Sequence, residues 1–142
     1  MKAEIAKKWV KALRSGRYQQ GKQALKVKSK RGITRHCCLG VLCELYQNAH
    51  RGKKLKSSRR RAVKGDDIST GATIFGFENM PFPEEEMTLP ASVRRWAGIK
   101  SDDGWIDYDV DGLGSSTLAE MNDKGASFSK IADIIETRSE TI

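Results

Sequence analysis

A helix-rich α+β domain with a small antiparallel sheet is the fold class that these 142 residues predict. Three observations carry it. Apolar residues recur at helical spacing near both ends and after the cysteines, short aromatic and β-branched runs lie between them, and Gly, Ser or Pro marks each change of period. The length suits one domain, residues 1–142, able to bury a core without disulfide staples.

The elements follow in order. Ala3 to Arg14 reads as an amphipathic helix: Ile5, Trp9 and Leu13 align with Val10 beside them, Lys7, Lys8 and Lys11 take the wet side, and Ser15-Gly16 is the stop. A turn from Tyr18 to Gly21 leads into a short strand at Ala24, Leu25 and Val27. Cys37 to Asn48 is apolar around most of its girth, which predicts a buried central helix. Within it Gly40 costs about 1 kcal/mol of helix propensity, so another backbone or a ligand is expected to pass close by.

Arg51 to Lys64 holds eight bases and few apolar residues, and reads as a basic flexible loop or hairpin insertion at about 51–66. Thr73, Ile74, Phe75 and Phe77 predict a strand around Gly76, and Pro81 and Pro83 force extended chain. Leu89 to Ala97 is a short helix with Pro90 in its first turn and Gly98 as its stop. Trp105 to Val110 suggests an edge hairpin, Ser116 to Asn122 a helix capped by Ser115 or Ser116, and Phe128 to Arg138 a final helix capped by Ser127.

Charge is segregated. Residues 1–64 carry 20 Lys and Arg against Glu4 and Glu44, a net of +18, while residues 65–142 carry 6 bases and 16 acids, a net of −10. Such polarity directs the basic half at phosphates, or at the acidic half of a second copy, so a homo-oligomer is expected. No apolar run is long enough for a bilayer, and no membrane partner is expected. Three cysteines, an odd count with Cys37 and Cys38 adjacent, fit a reducing cytoplasm.

Residue spacing bears on several chemistries. Cys38 and Cys43 lie five apart on a helix, a poor fit to the turn-borne pairs of a structural zinc site, and no metal or other cofactor is expected. Cys37 or Cys38 sits at a helix N-terminus beside Arg35 and His36, where a thiol can be acidified, so a cysteine-dependent enzyme is one alternative. Asp107, Asp109, Asp111 and Gly112 open like a calcium loop, but Leu118 stands where the bidentate Glu belongs. The 51–64 run lacks interleaved aromatics, so it could hold nucleic-acid backbone without stacking bases, and a basic nucleic-acid-binding accessory protein is the other alternative.

Four blocks then stand out together: Trp9 to Gly21; Cys37-Cys38-Leu39-Gly40-Val41-Leu42-Cys43-Glu44-Leu45; Leu89-Pro90 with Trp96-Ala97-Gly98; and Leu118 to Asp123 with Ser127-Phe128 and Ile131 to Glu136. As an ordered set they resemble a widespread family of small bacteriophage proteins, with departures at His36 and at the basic insertion. The resemblance implies a non-enzymatic accessory protein of the host cytoplasm. It also suggests kinship with anti-defence sponges that sequester a cyclic nucleotide immune signal, such as a cyclic dinucleotide. That ligand needs cations for its phosphates and aromatic or amide groups for its bases. Arg14, Arg17, Tyr18 and Gln20 supply these in one short span, and Asn122 and Asp123 add base-edge hydrogen bonds from a helix break. Arg35, His36, Arg59, Arg60 and Arg61 would steer the phosphates. Each also has a plain structural reading: Tyr18 as core, Gln20 as a turn residue, Asn122-Asp123 as the cap between two helices.

Overall fold

The computed structural model describes residues 1–50, 59–62, 71–75, 87–106 and 115–142. Within them five helices and a five-stranded sheet form an α+β domain. The helices are α1 (Ala3–Leu13), α2 (Cys38–Ala49), α3 (Ala91–Ala97), α4 (Leu118–Asp123) and α5 (Phe128–Arg138). The strands are β1 (Gln19–Gln20), β2 (Lys26–Lys28), β3 (Thr34–His36), β4 (Arg59–Arg61) and β5 (Thr73–Phe75), in the order β1-β3-β2-β5-β4. The calcium-like segment Asp107 to Gly112 lies outside the described residues, as do 51–58 and 63–66 of the basic insertion and Gly76, Phe77, Pro81 and Pro83.

Helix α2 is the axis of the core. Every residue from Cys38 to Cys43 is buried, and α1, α3, α4 and strand β3 pack around it. Its apolar girth dictates this position, because no face of the first two turns offers water a partner. Gly40 is where the chain closes on itself: a Cβ there would lie 1.7 Å from the Leu25 carbonyl oxygen. The expected close approach is therefore the protein's own backbone entering β2. Helix α1 buries Ile5, Trp9, Val10 and Leu13 as its spacing requires, and the Trp9 indole donates to the Cys38 carbonyl at 3.0 Å. Helix α5 buries Phe128, Ile131, Ala132, Ile134 and Ile135 against it.

Three elements differ from the sequence reading. Tyr18 to Gly21 is more than a turn, since Gln19 and Gln20 form β1, parallel to β3, which makes an otherwise antiparallel sheet mixed. Arg59–Arg61, expected in a flexible loop or hairpin insertion and not in a packed element, is an edge strand antiparallel to β5, because Ala62 buries beside Ala24, Ala72 and Ile74 and anchors it. The N-cap of α4 is Thr117, not Ser115 or Ser116: its hydroxyl accepts from Glu120 N–H at 3.0 Å while the Glu120 carboxylate accepts from Ser116 N–H at 2.9 Å. This is the reciprocal logic of a capping box, one residue later than expected. Of the Trp105 hairpin, one antiparallel bridge from Trp105 to Thr117 falls within the described residues. Gly98 ends α3 at φ +70°, as the sequence predicts. No helix among the described residues is long and apolar enough to cross a membrane.

Candidate functional site

Two polar constellations arise where the sequence pointed, and they are different in kind. The first is an internal joint. Asn122 is fully buried at the end of α4: its Oδ1 accepts from Gln20 Nε2 at 3.0 Å and Cys38 N–H at 3.2 Å, and its Nδ2 donates to the Gly21 carbonyl at 2.8 Å. Gln20 also donates to the Ala126 carbonyl at 2.7 Å and accepts from Phe128 N–H at 3.1 Å. Asp123 accepts from Gln23 N–H at 2.9 Å, holding the one non-glycine residue with positive φ among those described. Gln20, Asn122 and Asp123 thus join β1, α2, α4 and α5 through hydrogen bonds made inside the fold. Buried amides are ordinarily satisfied in this way, which is the plain structural reading of Gln20 and Asn122.

The second is an open groove of about 500 Å³ between the C-terminal half of α1, the Ser15–Tyr18 turn, the second half of α2 and Trp96 of α3. Lys8, Lys11 and Arg17 are the cations at its wall, Tyr18 and Trp96 its rings, and Asn48 and Ser15 its neutral polar groups; among the described residues no acid lines it. Ala12 and Ala49 leave the space between the helices. Trp96 is braced from behind, edge-on to Tyr46 at 5.5 Å and to His50 at 5.9 Å. Burial, then the nearby Glu44 carboxylate, pushes the Tyr18 hydroxyl above its ordinary range, so it stays a hydrogen-bond donor. The volume matches that of small-molecule pockets.

Behind Tyr18 lies a half-buried ion cluster. The His36 ring meets Tyr18 edge-on at 5.3 Å, and its Nε2 lies 3.3 Å from Glu44 Oε1, which also accepts from Lys26 Nζ at 2.6 Å. An ionised carboxylate only accepts, so Nε2 carries the His36 proton. Nδ1 has no partner among the described residues. Burial raises the affinity of Glu44 for a proton, but the bonds from His36 and Lys26 outweigh it and bring the carboxyl down to about 2. His36, expected among the phosphate-steering residues, is buried and braces Tyr18.

A pH dependence follows. The unfolded carboxyl titrates near 4.5 and the folded one near 2, so the cluster's contribution is complete above pH 4.5 and is lost as pH falls toward 2. After screening by the water that still reaches the cluster, it is worth about 1–2 kcal/mol. Glu44→Gln is expected to destabilise by that amount at pH 7 and by little at pH 2.5. Urea midpoints for the two proteins check it, and a gap independent of pH would refute it.

Among the other expected site residues, Arg14 turns away from the groove and pairs with Asp133 at 2.5 Å and Glu136 at 2.8 Å, tying α1 to α5 at the surface. Arg35 is exposed on β3, and Arg59 and Arg61 on β4; the side chain of Arg60 lies outside the described residues. Cys37 caps α2, its sulfur accepting from Gly40 N–H at 3.4 Å. Burial pushes its thiol up to about 12 and that of Cys38 well up too, outweighing the backbone hydrogen bonds that act the other way. Both thiols are held protonated, the reverse of what a cysteine nucleophile needs.

A family model for a domain of unknown function, DUF8296, matches residues 1–139. The chain belongs to this family. No curated protein and no solved structure matched it.

In this DUF8296 domain the groove retains Arg17 and Tyr18 of the expected set and adds four residues that sequence reasoning missed. Lys8 and Lys11 read as the wet side of α1, and Asn48 and Trp96 carried no site assignment beyond their helices. One signal could have found them: Lys8 and Lys11 are three apart, followed by Ser15 at helical spacing, which places them on one stripe beside the buried face.

Proposed function

We propose that this protein is a non-catalytic binder of a small anionic nucleotide, taken up in the groove between α1 and α2. The observation that carries the reading is the convergence of three cations and two aromatic side chains on one cavity of about 500 Å³ that no acid lines among the described residues. Lys8, Lys11 and Arg17 would answer phosphate charge, the Tyr18 and Trp96 rings would face a base, and Asn48 would offer an amide to a base edge. The resemblance to small phage proteins supports a cyclic dinucleotide or related immune signal as the ligand, held stoichiometrically in the host cytoplasm to blunt defence. A homo-oligomer, with the basic half of one copy against the acidic half of another, fits the same reading.

The test is a thermal-shift panel of cyclic di- and trinucleotides and cyclic ADP-ribose isomers. A ligand at 100 times its Kd is expected to stabilise the fold by about 2.7 kcal/mol. Lys11→Glu/Arg17→Glu is expected to weaken binding at least about tenfold without lowering the melting temperature of the free protein, since both side chains are exposed. A panel with no response, or a response that the double variant keeps, would refute the assignment.

A further inference from the structure

The strand register brings together a surface that none of its segments advertises. Lys26, Phe75 and Arg59 are paired across β2, β5 and β4 in one row, and Lys28, Thr73 and Arg61 in the row two residues on. Rows two residues apart share a face of the sheet. The row between them turns the other way: Ile74 is fully buried, packed with Val27, Ala24, Ala62 and Ala72. That face of the sheet holds a small apolar core around Ile74, with Arg35 exposed beside it on β3 in the same row, while the other face carries four cations around a half-buried phenylalanine. Lys28, Arg59 and Arg61 are exposed on it. Lys26 lies over the Phe75 ring at 5.3 Å and is tethered by Glu44, whose charge it shares with His36.

We infer that this sheet face binds single-stranded nucleic acid, with Lys28, Arg59 and Arg61 on successive phosphates and Phe75 presenting its ring to a base. Charge at β4 alone has a simpler explanation, because arginines on an edge strand discourage edge-to-edge pairing. That explanation does not reach Lys26 and Lys28, which stand on the central strand β2, where no edge needs protection. Neighbouring strands lie about 4.8 Å apart and alternate residues about 7 Å along a strand, so the three exposed cations span a patch of about 7 by 10 Å. Stacking on a ring needs an unpaired base, which favours a single strand over a duplex. The surface is separate from the groove and does not depend on the groove's ligand.

Fluorescence anisotropy with a labelled 12-nucleotide DNA strand between 50 and 200 mM salt tests the inference. Lys28→Glu/Arg59→Glu/Arg61→Glu is expected to lose at least about 30-fold in affinity. Its log–log salt slope is expected to shrink by about 2, at about 0.7 for each phosphate no longer neutralised. Lys8→Glu/Lys11→Glu, in the groove, is expected to change affinity less than threefold. The Gln version of the triple variant, checked by circular dichroism, gives the same reading should charge reversal perturb the strand. Failure of the unaltered protein to bind at 50 mM salt would overturn the inference. So would equal binding by the triple variant, or loss confined to the groove variant. A duplex bound as tightly as the single strand would overturn the single-strand assignment.

Discussion

Gly40→Ala is expected to cost at least about 3 kcal/mol and to leave little folded protein, although alanine is the better helix former by about 1 kcal/mol. The new methyl carbon would sit 1.7 Å from the Leu25 carbonyl oxygen and 2.6 Å from its carbonyl carbon. Neither atom belongs to a side chain that could swing aside. Relief would require moving the chain that enters β2 away from α2, and with it Leu25, which is itself fully buried. Urea unfolding measures the effect. An alanine variant as stable as the parent would mean that this crossing of strand and helix is looser than described.

Asn122→Ala is expected to destabilise by about 3 kcal/mol, because it strips partners from several buried groups at once and each stranded group costs about 1–3 kcal/mol. The Gly21 carbonyl, the Cys38 N–H and the Gln20 amide all lose a bond. In a domain of this size the melting temperature should fall by roughly 10 °C. Gln20→Ala should also destabilise, and the double variant should cost less than the two single losses added, since both belong to one network. The decisive contrast is with Lys11→Glu/Arg17→Glu: loss of stability at the joint, loss of ligand at the groove. An Asn122 variant of normal stability but impaired nucleotide binding would return this residue to the binding site.

Both predictions concern residues whose chemistry was visible in the sequence and whose role was not. Gly40 announced a close approach because glycine is a poor choice inside a helix; what approaches was open, and the fold answers with the chain's own backbone. Asn122 in a helix break is equally suited to a base edge or to an internal carbonyl. Its partners stand 101 residues away at Gly21, 102 at Gln20 and 84 at Cys38, and no local pattern encodes such pairings. Arg14 and Arg17 illustrate the same limit within one turn: three positions apart, one faces the acids of α5 and the other the groove.

The sequence by itself determined the class of the fold, the wet and dry sides of α1, the burial of α2's first turns, the caps at Gly98 and Ser127, and the segregation of charge. Each of these follows from periodicity, propensity or composition, which act between residues a few positions apart. Only the tertiary structure decided that Arg59 and Arg61 share a sheet face with Lys28 and Phe75. It alone made Gln20 and Asn122 an interior joint, and it opened a cationic groove around Lys8, Lys11, Arg17, Tyr18 and Trp96. A polar side chain carries its hydrogen-bonding and electrostatic capacity wherever it stands, and what it does with that capacity depends on which distant atoms packing brings within about 3 Å.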